Sequence, residues 1–189
     1  MRQIRVHRPG GHDRLRIDER IAHEQRLVNT VDGVVSTSSA IGRTIADHYG
    51  GAARFWLPPG VDETCFHPRT GEQCVPVWDF LATLSPHSAA DLRKRLVITE
   101  ISRTDTTKRK DVLLRAFARV RTVIPEALLV MAIDDGAQPI AAELRGLADY
   151  LGVADDVITV GSIRDELPGL YAVTDVYCTP SIMEGFGMS

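Results

Sequence analysis

Several features that would assign the protein to a familiar class are missing from its sequence. Three cysteines in 189 residues form no CxxC pair, which argues against a disulfide framework and favours a reduced, cytoplasmic compartment. No apolar run approaches the roughly 18 residues that a membrane-spanning helix needs, so we expect no integral membrane segment. The six histidines show neither HxxxH nor HExxH spacing, and we therefore expect no metal site.

The common nucleotide-binding motifs are missing as well. No GxGxxG follows a predicted strand, which disfavours a dinucleotide-dependent enzyme, and the absence of GxxxxGKS or GxxxxGKT excludes a P-loop. There is no DxD, because Asp134 and Asp135 are adjacent and indicate a turn. The net charge of -3 argues against a general nucleic-acid binder, so we expect no nucleic-acid partner.

Positive charge is nevertheless concentrated at the start of the chain. Six arginines fall within the first twenty residues, at positions 2, 5, 8, 14, 16 and 20. Such a run usually forms a solvated face, and contact with phosphates or with a membrane surface is the alternative. Association of a cytoplasmic protein with a membrane therefore stays open.

Helix-like and strand-like apolar patterns alternate along the chain. Periodicity predicts helices over residues 18–31, 39–49, 112–120, 140–151 and 167–171. Short β-branched or apolar runs predict strands over residues 33–38, 54–60, 96–102, 128–133, 157–160 and 175–180. Because helices separate the last four strands, we expect right-handed crossovers and a parallel sheet, which makes the fold class α/β.

Residues 69–95 are less regular and contain Pro76 and Pro86. We interpret them as an interdomain linker, with a short helix after Ser88. The predicted domains are then a first piece over residues 1–68 and a second domain over residues 96–189.

A basic segment, Arg103-Thr-Asp-Thr-Thr-Lys108-Arg109-Lys110, follows one predicted strand and begins a predicted helix. Cations are disfavoured at that end of a helix because it carries partial positive charge. A bound anion would resolve the conflict, since free N–H groups, the helix dipole and the cations would all converge on it. A solvated basic turn is the alternative that the charge pattern leaves open.

A second candidate segment, Glu184-Gly185-Phe186-Gly187, follows the last predicted strand. Its two glycines allow the backbone to approach a ligand closely and to present N–H groups to it. Glu184 supplies an acceptor for hydroxyls. A plain strand-to-helix turn is the alternative. Both candidate segments lie after strands, where open parallel sheets bind their ligands.

The order of the segments resembles the donor half of a GT-B glycosyltransferase. The segments LPPGVDETCFHP, SRTDTTKRKDVLLRAF and VITVGSIRDELPGLYAVTDVYCTPSIMEGFG look most like glycosyltransferase family 4. This retaining family includes sucrose-phosphate synthases and many bacterial mannosyl- and glucosyltransferases. The resemblance covers nearly the whole chain, from about residue 18. It implies a Rossmann-like, parallel-sheet donor domain preceded by the tail of a Rossmann-like acceptor domain.

The resemblance also implies a reaction and its participants. A sugar would pass from a nucleoside-diphosphate sugar, which is a substrate, to a saccharide, sugar phosphate or lipid acceptor, with retention at the anomeric carbon. No cofactor is implied. Both domains would be incomplete, so we expect this chain to be a fragment that is inactive by itself.

Individual residues match the family's motifs. Arg103 and Lys108 match the arginine and lysine that grip the donor diphosphate. Gly161-Ser162-Ile163 matches the loop whose backbone meets the nucleotide base. Glu184 matches the first of the family's two glutamates, the one that contacts the donor sugar, while Gly185, Phe186 and Gly187 match backbone donors around the sugar and phosphate.

Three features depart from the family's pattern. Arg109 stands where Gly or Asn is usual, and Asp134 stands where Gly is usual. The second glutamate would fall after Ser189, and the first half of the family's sequence would precede Met1. The alternatives are an inactive nucleotide-sugar-binding fragment and a GT-B epimerase or phosphorylase, and the PPGVD and EGFG segments weigh against the latter.

Overall fold

The computed structural model describes residues 16–182 and residue 184. These residues belong to two compact units. The first contains residues 16–60 and Glu184, and the second contains residues 61–182. Each unit has its own parallel sheet, as the alternation of helices and strands predicts.

The first unit alternates helices and short strands. Its elements are α1 (Ile17–Thr30), β1 (Val35–Ser36), α2 (Ser39–Tyr49) and β2 (Phe55–Trp56), and β1 pairs with β2 in parallel. Helix α2 starts at a serine cap, since the Ser38 hydroxyl accepts a hydrogen bond from the Ile41 N–H at 3.2 Å. It ends at Gly50, whose φ of 69° lies in the left-handed region. The predicted helix is confirmed, whereas both strands are shorter than predicted.

The second unit is a four-stranded parallel sheet with helices on both faces. Its helices are α3 (Val75–Thr83), α4 (Ala89–Leu92), α5 (Lys110–Arg121), α6 (Ile140–Tyr150) and α7 (Leu167–Ala172). Its strands are β3 (Leu96–Glu100), β4 (Ala127–Ala132), β5 (Val157–Val160) and β6 (Val176–Tyr177). The strand order is β5-β4-β3-β6, with Leu96 opposite Ala127 and Ile98 opposite Val176. The predicted α/β class is confirmed.

Strand β4 shows how the two faces of this sheet are filled. Leu128 and Val130 pack with apolar side chains of α3, α4 and α7, whereas Leu129 and Met131 pack with those of α5 and α6. Successive side chains of a strand point to opposite faces. A strand that is covered on both faces therefore has no side in water, which explains why ALLVMA contains no polar residue.

The segment interpreted as a linker, residues 69–95, contains helices α3 and α4, and α4 begins after Ser88 as predicted. Pro76 lies in the first turn of α3, where its missing N–H costs no helical hydrogen bond. Val77, Trp78 and Leu81 are buried against the sheet. The proline thus marks a helix start, and the amphipathic segment covers one face of the sheet. The domain boundaries in the whole protein stay a prediction.

Candidate functional site

The strand order reverses between β3 and β6. From β3 the chain continues through α5 to β4 and through α6 to β5, which lie on one side of β3. It then passes through α7, on the opposite face, and returns to pair β6 with the other edge of β3. Such a reversal leaves a crevice beyond the carboxyl ends of the two adjacent strands, where α/β proteins bind ligands.

Two segments meet at this reversal. One is the basic loop, residues 101–109, which follows β3, and the other is residues 178–182, which follow β6. The Ile182 N–H donates to the Thr107 carbonyl at 3.0 Å, and the Tyr177 hydroxyl donates to the Ile101 carbonyl at 3.0 Å. The structure therefore brings the predicted basic segment against the segment that leads to Glu184.

The basic loop is shaped by local hydrogen bonds and one unusual backbone conformation. The Asp105 carboxylate accepts hydrogen bonds from the Thr107 N–H at 2.8 Å and from the Thr107 hydroxyl, which forms a turn typical of aspartate. A 3-10 turn over Thr106–Lys108 follows. Arg109 then has φ 50° and ψ 40°, in the left-handed region that glycine and asparagine adopt most easily. This geometry explains why Gly or Asn suits the position.

The four cations of the basic segment have different surroundings. The Arg103 side chain is 85% exposed, and its guanidinium lies 3.8 Å from a carboxylate oxygen of Asp105. Lys108 is only 7% exposed. Arg109 donates to the Asp111 carboxylate at 3.1 Å, and Lys110 is paired with Glu100 in the interior. Arg103 is therefore the cation with donors most open to a ligand.

Asp105 lies between the two cations that the sequence singles out. Burial alone would raise the pKa of Asp105, but hydrogen bonds from Thr107 and the charges of Arg103 and Lys108 outweigh it, and the pKa falls below its ordinary value. The Thr107 hydrogen bonds contribute most to the lowering of this pKa, and the charges of Arg103 and Lys108 add to it. Two cations near one another at the reversal of the strand order favour an anionic ligand.

Glu100 and Lys110 form a buried ion pair beneath the basic loop. Lys110 also donates to the Ser102 carbonyl at 3.1 Å, and the Ser102 hydroxyl donates to Glu100. Burial lowers the pKa of Lys110, and the charge of Glu100 offsets this only in part. Sequence reasoning grouped Lys110 with the anion-binding cations and did not identify Glu100. The available signal was a glutamate at the end of a mostly apolar strand, ten residues before a lysine.

The other predicted site residues lie after β5, in the first unit, or outside the described residues. Gly161, Ser162 and Ile163 follow β5, and a side chain at Gly161 would meet no atom within 4 Å. Glu184 is exposed and belongs to the first unit. Gly185, Phe186 and Gly187 lie outside the described residues. The roles assigned to these residues stay predictions.

The adjacent aspartates after β4 form a turn, as predicted. The Ala137 N–H donates to the Asp134 carbonyl at 3.0 Å, and the Asp134 carboxylate accepts from the Gly136 N–H at 2.9 Å. The Asp134 N–H donates to the Thr104 hydroxyl at 2.9 Å. Asp134 therefore ties the turn after β4 to the basic loop.

Residues 16–182 and 184 contain no group of three or more His, Cys, Asp and Glu side chains that could hold a metal ion. None of the helices formed by these residues has the length and apolar character required to cross a membrane.

The chain matches one known protein family and is similar to several curated proteins. A family model described as "Glycosyl transferases group 1" matches residues 87–189. The chain is 33% identical over 172 residues to a GDP-mannose-dependent alpha-(1-6)-phosphatidylinositol monomannoside mannosyltransferase of Mycobacterium tuberculosis, covering 87% of this chain and 40% of that protein. It is 27% identical over 184 residues to mannosylfructose-phosphate synthase of Agrobacterium fabrum, covering 90% of this chain and 37% of that protein.

Solved structures show the same fold. Sucrose-phosphate synthase from Thermosynechococcus elongatus matches with a TM-score of 0.69 at 22% identity, over 90% of this chain and 40% of that one. Anabaena HepE in complex with UDP and glucose matches with a TM-score of 0.67 at 22% identity, over 88% of this chain and 44% of that one. The chain thus spans about 40% of the length of the curated relatives that it matches.

Proposed function

Since the chain belongs to the family of glycosyl transferases group 1, we propose that the whole protein transfers a sugar from a nucleoside diphosphate to an acceptor. The second unit would bind the donor. The observation that carries the proposal is the position of Arg103 and Lys108 in one loop, at the reversal of the strand order. An exposed guanidinium beside a second cation suits a diphosphate, because a planar guanidinium donates two parallel hydrogen bonds to phosphate oxygens.

In the proposed reaction, negative charge builds up on the diphosphate as its bond to the sugar breaks. Arg103 and Lys108 stabilise that charge as cations of one loop at the reversal of the strand order. Glu184 accepts hydrogen bonds from the sugar hydroxyls and so orients the anomeric carbon. The backbone at Gly161, Ser162 and Ile163 contacts the base. We propose that the configuration at the anomeric carbon is retained.

The names of the relatives support a donor of the nucleoside-diphosphate hexose class. One relative is named as GDP-mannose-dependent, and the Anabaena neighbour was solved with UDP and glucose. We propose a saccharide, sugar phosphate or lipid as the acceptor. The relatives' names support this range, since they include a phosphatidylinositol mannoside and a sugar phosphate.

A donor panel tests the proposal on the full-length protein. UDP-glucose, GDP-mannose and related donors are supplied in turn, and transfer and slow hydrolysis are measured by release of the nucleoside diphosphate. We expect turnover with at least one donor and its loss in Arg103→Ala. Binding without turnover would indicate an inactive nucleotide-sugar binder. Release of a sugar 1-phosphate or isomerisation of the donor sugar would indicate a phosphorylase or an epimerase instead.

We further propose that the basic loop neutralises the diphosphate without a metal ion. The proposal rests on the two cations and on a sequence without a DxD motif. Turnover should persist in an excess of chelator. A loss of turnover that manganese or magnesium restores would contradict this part of the proposal.

A further inference from the structure

We infer that the buried ion pair between Glu100 and Lys110 holds the basic loop in the geometry that presents Arg103 and Lys108 to the donor. Both residues are then positioning residues, and neither contacts the donor. The inference rests on the proposed function for the role of the loop. The resemblance described above assigns no role to Glu100 or Lys110.

The pair lies at the two ends of the loop. Glu100 is the last residue of β3 and Lys110 is the first residue of α5. The Lys110 and Glu100 side chains are 1% and 0% exposed. Lys110 therefore has no access to a bound diphosphate, in contrast to Arg103. Its charge is directed into the protein, where it joins the strand to the helix beneath the loop.

Ser102 connects the pair to the first cation. The Lys110 ammonium donates to the Ser102 carbonyl at 3.1 Å, and the Ser102 hydroxyl donates to Glu100. Backbone and side chain of Ser102 are thus both fixed, one residue before Arg103. A change in the pair would shift the backbone at Ser102 and hence the direction of the guanidinium.

The ion pair also constrains the end of the loop that leads into α5. Arg109 separates Lys108 from Lys110 and has a left-handed backbone with φ 50°. Non-glycine residues keep such a conformation only where their surroundings fix it. The buried ammonium of Lys110 supplies that fixed point, one residue after Arg109. The ion pair thus constrains the backbone on both sides of the two donor-binding cations.

Stability alone gives a weak reason to keep such a pair in the interior. Burying two charges costs solvation free energy that their attraction roughly offsets, and well-packed apolar residues of similar volume are often as good or better. What apolar side chains cannot reproduce is the hydrogen bond to the Ser102 carbonyl. Stability and loop geometry can therefore be separated by substitution.

The decisive variant is Glu100→Leu combined with Lys110→Met in the full-length protein. We expect its thermal midpoint to stay within a few degrees of wild type and kcat to fall by about ten- to a hundredfold, as expected when catalytic groups are displaced by around 1 Å. In the Arg103→Ala, Lys108→Ala background, the same double substitution should lower kcat no further, because residues that act through one another are not additive. An additive loss, or an unchanged kcat, would overturn the inference.

Hydrogen exchange gives a second readout that does not require turnover. Amides of residues 103–109 should exchange at least several-fold faster in the double variant, while those of β4 should be unchanged. If the wild type shows no turnover with any donor, the proposed function fails, and faster exchange confined to the loop would still support the positioning role. Unchanged exchange in the loop would refute it.

Two additional variants keep the inference testable if the double variant does not fold. Lys110→Arg keeps the charge but alters the reach, and Ser102→Ala removes only the hydroxyl bond to Glu100. Both should fold with a near-normal thermal midpoint and should lower kcat, Lys110→Arg more than Ser102→Ala. Normal kcat in both would contradict a positioning role. As a control, Arg95→Met at the opposite end of the sheet should lower the thermal midpoint and leave kcat unchanged.

Discussion

Charged side chains cluster at both ends of the four-stranded sheet, but their hydrogen-bond donors are directed differently at the two ends. At the amino end, the Asp156 carboxylate pairs with both Arg95 and Arg121. The two guanidinium groups also donate to the Ala127 carbonyl at 3.4 and 3.5 Å. All three side chains are largely buried, so the donors of this cluster are directed at the protein itself.

At the carboxyl end, the cations are divided between the interior and the solvent. Lys110 is directed inward to Glu100, whereas Arg103 is 85% exposed. The number of cations therefore does not identify a ligand-binding site, because both ends of the sheet contain several. What distinguishes the carboxyl end is a cation whose donors face solvent at the reversal of the strand order.

The largest expected effect comes from removing the two cations that we assign to the donor diphosphate. Arg103→Ala and Lys108→Ala in the full-length protein should each lower turnover by on the order of 10²–10³, as the loss of a transition-state charge donor does. Arg103→Ala should leave the thermal midpoint almost unchanged, since its side chain is exposed. Steady-state kinetics and thermal melting check both expectations.

Arg119→Ala is a matched control for that experiment. Arg119 is an exposed arginine near the end of α5, away from the reversal of the strand order. Its removal should leave turnover unchanged. Near-normal turnover in both Arg103→Ala and Lys108→Ala would contradict the assignment of the basic loop to the diphosphate.

A substitution in the cluster at the amino end of the sheet should lower stability and leave turnover unchanged. Asp156→Ala leaves Arg95 and Arg121 without their shared carboxylate in a largely buried setting, so we expect a loss of about 1–3 kcal/mol in the free energy of unfolding. Turnover at a temperature where the variant is folded should be normal. Chemical denaturation together with kinetics measures both quantities, and a variant that is as stable as wild type but inactive would reverse the comparison.

A smaller effect is expected from the backbone at Arg109. Both Arg109→Ala and Arg109→Gly remove the ion pair with Asp111, so the difference between them isolates the cost of φ 50°. We expect the glycine variant to be more stable than the alanine variant by about 1 kcal/mol. At Arg119 inside helix α5 the order should be reversed, with glycine less stable than alanine by about 1 kcal/mol. The same order at both positions in denaturant titrations would show that Arg109 is not strained.

The smallest effect concerns Asp105 and pH. Its pKa in the folded protein is lowered from the ordinary value of 3.8. An ionised group with a lowered folded pKa contributes stability above its unfolded pKa, and this contribution is lost as the pH falls through the folded pKa. The difference in thermal midpoint between wild type and Asp105→Asn should therefore be largest near about pH 6 and shrink towards about pH 3. A difference that grows on acidification would contradict the sign.

The sequence predicted most of the second unit's sheet because its pattern is strong there. The strand at 157–160 is confirmed with the same bounds, and those at 96–102 and 128–133 are confirmed within two residues. The strand at the β6 edge was overpredicted: 175–180 contains only Val176–Tyr177 as a strand. An apolar run continues beyond the last ladder hydrogen bond, so composition alone does not fix where pairing ends.

The position of the candidate site was predictable from the sequence, but the contacts of its side chains were not. The basic segment was identified by its unusual charge at a helix start. The sequence did not predict which of its cations face solvent and which are buried. Whether Lys110 points inward depends on Glu100, which lies on a different element, and on the Ser102 carbonyl. Helix α3 was missed for a related reason, because Pro76 breaks a helix or starts one depending on its position.

The pairing of β6 with β3 also has a consequence for folding. Val97 and Asp175, which join these strands, are 78 positions apart, whereas Leu96 and its partner Ala127 are separated by about thirty. Closing the longer loop costs about 0.8 kcal/mol more in chain entropy. Strands β3 and β4 can therefore associate early, as local contacts form before distant ones. The crevice beside the basic loop exists only after β6 has docked, so we expect the proposed donor site to be the last part of the sheet to be completed.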